Sequence, residues 1–169
     1  MPNTRAELMS RLDDLGIETT TVDHAAVFTV GESDALHRQI EGGHTKNLFL
    51  KDAKDRLWLV VAECHTAVDL KSLPKVIGSA RLSFGKPDLL MDVLGVTPGS
   101  VTALALINDR TNRVSVVVDE RLMEYDVINC HPLVNTATTS IRRGDLIKFM
   151  QACGHAPSVL ALTGPAAAA

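Results

Sequence analysis

Two strongly apolar runs, residues 47–52 and 56–63, stand close together, and the charged and small residues Lys51–Asp55 form the turn between them. Leu, Val, Phe and Trp dominate both runs, which is typical of buried β-strands. Further β-rich runs occur without a helix regularly between them, at 17–24, 101–109, 113–120, 125–130 and 136–141. Regular βαβ alternation is absent, so the pattern favours a mixed α+β fold over a doubly wound sheet.

Five segments carry helix signals. In the first, 3–16, Asn3 or Thr4 can cap the helix, leucines recur at helical spacing and Gly16 follows the end. The others are 31–43, 69–78, 86–95 and 143–155. The sequence TPGS at 97–100 predicts a type II turn, because Pro-Gly favours that geometry.

The bulk composition limits the classes of function. A chain of 169 residues is expected to form one domain, and its net charge of −3 argues against coating nucleic acid through bulk charge. The N-terminus is polar, and no apolar run approaches the length of a membrane span. The three cysteines, Cys64, Cys130 and Cys153, suggest no disulfide framework, so we expect a reducing cytoplasm.

Metal and covalent chemistry both lack a sequence signature. The six histidines form no HxxxH pair and there is no CxxC; Cys64–His65 is an isolated approach, so no metal site is predicted. Cys130 and His131 look like a dyad, but neighbours in a strand point to opposite faces. We therefore expect Cys130 in the core and His131 facing a site.

A lysine beside two glycines suggests anion binding. Lys46 follows Gly42-Gly43, but Asn47 stands where a P-loop needs Ser or Thr, which argues against nucleoside-triphosphate chemistry. His44 and Thr45 add donors in the same short segment. Two readings stay open, a phosphate or small-molecule site and a solvated lysine at the start of a strand.

Two further polar segments could contribute to such a site. GVTPGS, residues 95–100, is an amide-rich turn. In 128–139, Pro132 holds His131 extended, and the asparagine and threonines that follow either line a pocket or satisfy local backbone.

Taken in order, three segments resemble one family. Residues 42–52, 94–109 and 128–141, with 56–63 between the first two, resemble the YbaK / prolyl-tRNA synthetase-associated editing domains, and among them the freestanding Ala-tRNA(Pro) deacylases. The resemblance spans about residues 5–162. It implies one editing domain over 1–162, with a central, mostly antiparallel or mixed, barrel-like sheet flanked by helices. The low-complexity tail at 163–169 is expected to be disordered.

The implied activity is hydrolysis of the ester of mischarged Ala-tRNA(Pro), assisted by the 2'-hydroxyl of the terminal adenosine and without a cofactor. A synthetic site for proline cannot exclude a smaller side chain strongly, so a second site corrects the error. Alternatives are a deacylase for Cys-tRNA(Pro) or another small amino acid, a non-catalytic tRNA- or nucleotide-binding module, and a synthetase-interacting protein.

The resemblance also implies roles for residues. Lys46 would hold the phosphate or sugar edge of the adenosine, Asn47 would support that contact, and His131 would line the amino-acid pocket. The family's Gly-x-x-x-Pro loop has only two residues between its glycine and proline here, so two glycine amides are candidates for positioning the ester. The implied catalytic set is Lys46, Asn47, Gly95, Pro98, Gly99, Ser100 and His131, and the substrate-binding set is His44, Thr45, Asn135 and Thr136.

Transfer RNA would be the partner. Lys51, Arg81 and Arg142 are the candidates for contacting it, and Lys86 and Arg143 lie near the same motifs. The contact would be limited to the acceptor end of tRNA(Pro), since the net charge is negative. Transient association with prolyl-tRNA synthetase is possible on this interpretation, and no DNA or membrane partner is expected.

Overall fold

The structure, a computed structural model, describes residues 1–27 and 30–162. The tail 163–169, for which disorder is predicted, lies outside the described residues. The helices are α1 (Arg5–Asp14), α2 (Val30–Gln39), α3 (Leu73–Ile77), α4 (Pro87–Leu94) and α5 (Arg143–Ala152). The strands are β1 (Thr19–Asp23), β2 (Gly43–Asp52), β3 (Leu57–Glu63), β4 (Leu82–Phe84), β5 (Val114–Asp119), β6 (Val127–Cys130), β7 (Ala137–Arg142) and β8 (Ser158–Leu160). Short 3-10 helices cover Pro98–Ser100, Ala103–Asn108 and Glu120–Glu124.

The described strands form one mixed sheet flanked by helices, which confirms the predicted α+β class. Their order is β1-β7-β6-β2-β3-β5-β8, and β4 pairs with β2 beside this path. Neighbours are antiparallel in β1-β7, β6-β7, β2-β3 and β2-β4, and parallel in β2-β6, β3-β5 and β5-β8. Within the described strands the hydrogen-bonded path is open-ended, because no pairing joins β1 to β8.

Hydrophobic clusters cover both faces of the central strands. Successive side chains of a strand point to opposite faces, so Leu59 and Val61 enter one cluster and Val60 and Ala62 the other. The first cluster also takes apolar residues of α1, α4 and α5, and the second takes Leu73 of α3. All seven residues of β3 are buried as a result.

Local signals decide several boundaries. Thr4 caps α1 as predicted: its hydroxyl accepts from the Glu7 amide at 3.2 Å, and the Glu7 carboxylate accepts from the Thr4 amide at 2.9 Å. Strand β2 begins at Gly43, four residues before the predicted start. The histidine, threonine and lysine of the glycine-rich segment therefore belong to the strand and alternate between its faces.

Two predictions are wrong. The run 101–109, expected as a strand, contains the 3-10 helix Ala103–Asn108, whose start is capped by the Thr102 hydroxyl. Five of its six residues are buried, and a continuous apolar run has no period that separates a strand from a buried helix. The segment 97–100 is also 3-10, and Gly99 lacks the positive φ that a type II turn requires.

The short strands β4 and β8, three residues each, have no counterpart in the sequence prediction. Within the described residues, no helix combines the length and apolarity needed to cross a bilayer.

Candidate active site

A cavity of about 520 Å³ opens where the first residues of β2 meet the end of β6. The turn after β3, one side of α2 and β7 complete its walls. Predicted site residues and residues without a predicted role both line it, among them His44, Thr45, Lys46, Cys64, His131 and Thr138.

Parallel pairing of β2 with β6 builds this cavity. Gly43 is opposite Ile128 and His44 is opposite Asn129, and the Thr45 hydroxyl donates to the Asn129 carbonyl oxygen at 2.8 Å. Because β6 ends at Cys130, the next residue leaves the strand and joins the cavity wall. Lys46 and His131, which are 85 positions apart in the sequence, thus share one cavity.

The glycine pair has a packing role. Gly42 has φ +111°, and a Cβ there would lie 2.7 Å from the Val127 carbonyl oxygen. A Cβ on Gly43 would lie 2.7 Å from the Tyr125 ring. The two glycines let the chain pass close to β6 and the residues before it.

His131 is half-buried and held in one tautomer. Its Nδ1 lies 3.2 Å from the Ala137 carbonyl oxygen, which can only accept, so Nδ1 carries the hydrogen. Burial lowers the pKa of His131 below its ordinary value, despite the opposing effect of that hydrogen bond. The ring is therefore neutral at neutral pH, and Nε2 is left as a hydrogen-bond acceptor.

Lys46 brings a positive charge to the cavity. Its side chain is half-buried, and within the described part of the chain no carboxylate lies at ion-pair distance from its ammonium. An ammonium in this situation can pair with an external phosphate.

Asn47 lies on the opposite face of β2 from Lys46, as strand alternation requires. Its Nδ2 donates weakly to the Thr45 hydroxyl at 3.4 Å, and its buried Oδ1 has no hydrogen-bond partner within residues 1–27 and 30–162. A buried carbonyl oxygen without a partner is uncommon in folded proteins. Asn47 is absent from the cavity lining, so it can reach the Lys46 side only through Thr45.

His44 is mainly a structural residue of this wall. It is buried, its Nε2 donates to the Ile40 carbonyl oxygen at 2.8 Å, and its ring stacks on His37 with centroids 3.9 Å apart. Burial lowers the pKa of both histidines. The stack joins the C-terminal part of α2 to the start of β2.

The two cysteines of the cavity are poor nucleophiles. Burial raises the pKa of Cys130 to about 12, and burial together with Glu63 raises the pKa of Cys64 to about 11. Both thiols are protonated at neutral pH. Cys130 is 2% exposed, in agreement with the predicted core position, and His131 faces the cavity as expected.

The GVTPGS loop lies outside the cavity lining. Gly95 ends α4 with φ +65°, and its amide donates to the Met91 carbonyl oxygen at 3.0 Å, so this amide is engaged and is unsuited to holding an ester. Gly99 is exposed, and a Cβ there would lie 3.2 Å from Asn135 Nδ2. Among the hydrogen bonds of the described residues, none uses the Gly99 amide.

The remaining loop residues are divided between surface and interior. Pro98 is exposed and Ser100 is buried, with its amide donating to the Thr97 carbonyl oxygen at 2.9 Å. In the segment after β6, Thr136 is exposed and its carbonyl oxygen accepts from the His24 amide. The loop therefore approaches the segment after β6 at Gly99, where an added Cβ would meet the Asn135 side chain.

The candidate tRNA contacts occupy different surfaces. Lys51 and Arg81 line a groove of about 490 Å³ at the other end of β2, together with Lys86 and Phe84, which is 62% exposed. Arg142 lines a separate concave surface. The Arg143 guanidinium donates to the Met123 carbonyl oxygen, so this side chain stabilises the fold at that point.

The sequence predicted no role in the site for four further residues that line the cavity, His37, Cys64, His65 and Asn129, whereas Thr138 belongs to the threonine segment expected to line a pocket or to satisfy local backbone. The adjacent Cys64 and His65 were the available signal. The turn after β3 brings the Cys64 and His65 side chains to the cavity, and the spacing of residues in the sequence does not reveal this turn.

Comparisons with known proteins agree on one family. The model of the aminoacyl-tRNA editing domain matches residues 24–149. Prolyl-tRNA synthetase associated domain-containing protein 1 of Danio rerio is 39% identical over 158 residues, covering 92% of this chain and 86% of that protein. Prolyl-tRNA editing protein ProX of Acetoanaerobium sticklandii is 36% identical over 154 residues, covering 90% and 94%.

Solved structures share the fold. The crystal structure of a proposed trans-editing enzyme for prolyl tRNA synthetase superposes with a TM-score of 0.69 at 17% identity, covering 95% of this chain and 99% of that one. The hypothetical protein APE2540 gives 0.71 at 16% identity, with coverage of 93% and 99%.

Proposed function

Because the chain belongs to the aminoacyl-tRNA editing domain family and is an aminoacyl-tRNA hydrolase, we propose that it acts in trans on Ala-tRNA(Pro) and releases alanine. The observation that carries the proposal is the shared cavity of Lys46 and His131. Prolyl-tRNA as the substrate class is supported by the relative named prolyl-tRNA editing protein ProX. A cytoplasmic place of action belongs to the same proposal.

Lys46 binds the terminal adenosine. Its ammonium, which has no carboxylate at ion-pair distance among the described residues, is suited to the phosphate or the ribose edge of that nucleotide, where a charge-assisted hydrogen bond is roughly twice as strong as a neutral one. Asn47 lies outside the cavity lining and supports this contact indirectly, through its weak hydrogen bond to the Thr45 hydroxyl. Lys46 therefore holds the substrate and leaves the chemistry to the ester and water.

His131 orients the reacting groups. With Nδ1 donating to Ala137, its neutral ring offers Nε2 as an acceptor for the alanine amino group or for water. Water bonds to the ester carbonyl carbon, and its proton passes through the adenosine 2'-hydroxyl to the 3'-oxygen as the ester bond breaks. The products are free alanine and tRNA with an intact 3' end.

The GVTPGS loop supplies the oxyanion contact. Of the two candidate glycines, Gly99 is retained, because the amide of Gly95 is engaged in the helix cap. A main-chain amide aimed at the developing oxyanion stabilises the transition state by several kcal/mol in known hydrolases, on the order of 3. Pro98 and Ser100 hold the loop around Gly99, and Asn135 packs beside it.

The acceptor end is held in the groove at the other end of β2. Lys51, Arg81 and Lys86 supply cations, and the exposed ring of Phe84 supplies a stacking surface. Three cations suit a limited contact with the phosphate backbone. Contact of Arg142 with tRNA and transient association with prolyl-tRNA synthetase remain proposals.

A panel of charged tRNAs tests the proposal. Purified protein is mixed with Ala-tRNA(Pro), Cys-tRNA(Pro) and Pro-tRNA(Pro), and loss of each ester is followed over time. Fastest release of alanine, with Pro-tRNA(Pro) left intact, supports the proposal. Fastest release of cysteine would instead identify Cys-tRNA(Pro) as the preferred substrate. Binding of tRNA without loss of any ester would overturn catalysis and favour a binding module.

A further inference from the structure

A cluster of metal-ligating side chains forms where β3 ends. In a continuing strand, Glu63, Cys64 and His65 would point alternately to opposite faces. Here the chain turns at once, because the Thr66 amide donates to the Glu63 carbonyl oxygen at 2.9 Å. The turn brings all three side chains to one place, with their ligand atoms within 4.8 Å of one another.

Two of the three distances between these atoms match the edges of a metal tetrahedron. Cys64 Sγ lies 3.4 Å from Glu63 Oε1 and 3.4 Å from His65 Nδ1, and that nitrogen lies 2.9 Å from the same carboxylate oxygen. Tetrahedral zinc with ordinary Zn–S, Zn–N and Zn–O bonds needs edges of about 3.3–3.7 Å. Two of the three distances already fit. The third, between His65 Nδ1 and Glu63 Oε1, must lengthen by about half an ångström, and a small movement of the exposed His65 ring would provide this.

Surrounding groups hold the carboxylate in place. Glu63 Oε2 accepts from the His65 amide at 3.0 Å and lies 3.4 Å from the Arg121 guanidinium. The Glu63 amide in turn donates to Asp119 at 3.0 Å, and Asp119 also accepts from Thr66 at 2.5 Å. A buried ligand fixed by such neighbours is the usual arrangement around protein-bound metals.

We propose that Glu63, Cys64 and His65 form a binding site for a thiophilic divalent cation, of the Zn²⁺ class, on the wall of the Lys46 cavity. Carboxylate, thiolate and imidazole are the ligand types that zinc uses, and thiolate selects against Mg²⁺ and Ca²⁺. Binding releases the thiol proton of Cys64 to solvent, and His65 coordinates through Nδ1 as a neutral imidazole with its hydrogen on Nε2. The fourth position is open to water, because His65 is 72% exposed on the solvent side.

This site differs from the tRNA contacts in its chemistry and does not depend on the deacylase activity. The sequence did not predict it, because the three ligands are consecutive and have none of the usual spacing of metal motifs. Cobalt(II) is the suitable probe, since it replaces zinc in tetrahedral sites and its thiolate complexes absorb in the near ultraviolet.

Untagged protein, freed of metal with a chelator, is titrated with Co²⁺ and then with Zn²⁺. We expect one cobalt per chain, a thiolate-to-cobalt absorption band, and its loss on adding Zn²⁺. Cys64→Ser should abolish the band, and His65→Ala should weaken cobalt binding at least about tenfold. Cys153→Ser is the matched control, because Cys153 is a half-buried free thiol elsewhere, and it should keep the band.

Circular dichroism verifies that each variant is folded, and His65→Ala is the variant least able to disturb the fold because its side chain is exposed. The proposal is overturned if wild-type protein shows no thiolate band, or if Cys64→Ser shows the same band as wild type. Neither result would bear on ester hydrolysis.

Discussion

The Thr45 hydroxyl donates to the Asn129 carbonyl oxygen at 2.8 Å. Thr45 directly precedes Lys46 in the chain, and Asn129 lies two residues before His131. This bond helps to join the two strands that bring the proposed nucleotide-binding and amino-acid-binding residues together, and the Asn129 side-chain amide adds donations to the Glu41 and Gly43 carbonyl oxygens at 3.0 and 3.3 Å. Parallel pairing between β2 and β6 covers only Gly43–Ile128 and His44–Asn129, so a side-chain bond here has few others to support it.

Replacing Thr45 by valine should show whether the Thr45–Asn129 hydrogen bond positions the catalytic residues or only stabilises the fold. The lost hydrogen bond is worth about 1 kcal/mol in the free energy of unfolding. We expect kcat for Ala-tRNA(Pro) hydrolysis to fall several-fold because the two strands shift, and Thr45→Ser to restore most of it. Urea denaturation and single-turnover kinetics measure the two effects, and equal kinetics for valine and serine would contradict the role.

Lys46→Ala should remove most of the activity without unfolding the protein. Loss of the ammonium that holds the terminal nucleotide should lower kcat/KM by about a hundredfold, equivalent to about 2.7 kcal/mol of transition-state stabilisation. Lys54 is an exposed lysine in the turn after the same strand, so Lys54→Ala is the matched control. An equal loss of kcat/KM in both variants would mean that the overall positive charge of the protein matters, and not the position of Lys46 in the cavity.

The pH dependence of hydrolysis should report a neutral histidine. Burial lowers the pKa of His131 from its ordinary value of 6.5, so the ring stays neutral throughout the range above that value. We expect kcat to be independent of pH above about 6.5 and to decline only at lower pH, as protonation removes the Nε2 acceptor. His131→Ala should abolish this acid limb together with most of the rate, and an acid limb that survives in that variant would assign it to another group.

Acid should weaken the fold through the stacked histidines. The pKa values of His37 and His44 are lowered in the folded state by burial, so the unfolded chain binds more protons below 6.5. The free energy of unfolding is therefore fully retained above pH 6.5 and falls as pH decreases from 6.5 towards the folded pKa values. Urea denaturation at a series of pH values measures this slope.

His44→Gln offers a direct test of that source. Its side-chain amide can still donate to the Ile40 carbonyl oxygen but does not titrate, so the slope of stability with pH should be reduced. An unchanged slope would mean that other groups cause the acid sensitivity.

Neutralising the groove at the far end of β2 should change binding and leave chemistry intact. Arg81→Ala and Lys86→Ala should each raise KM and reduce the slope of log affinity against log salt by about 1. Lys71, an exposed lysine beside α3, is the matched control. A fall in kcat with unchanged KM would be inconsistent with a contact remote from the ester.

The parts of the fold that the sequence predicted well are those with a local cause. The helix cap, predicted at Asn3 or Thr4 and found at Thr4, and the alternation that separates Cys130 from His131 are encoded within a few residues. The run that becomes Ala103–Asn108 was misassigned because an unbroken apolar segment carries no period. Its helical form depends on the local Thr102 cap and on burial against α4 and α5, and the burial is a tertiary effect.

The candidate site was predictable in its residues and not in its geometry. Lys46 and His131 were identified by the resemblance of their segments, but their shared cavity depends on two residue pairs between distant strands. Gly95 and Gly99 could not be distinguished until the helix ending at Leu94 placed the amide of Gly95 in its cap. Lys46 and Asn47 look like one motif in the chain, and strand alternation places them on opposite faces.

The complete burial of β3 has a consequence for how the cavity can open. Its amides lie between β2 and β5 and should exchange with deuterium only on global unfolding, so Glu63 at its end is attached to the slowest-exchanging part of the protein. The described side chains of α2, residues 31–39, include none that is fully buried. Deuterium uptake should therefore be fast in α2 and decrease there when tRNA binds, which would identify α2 as the gate and β3 as the fixed frame.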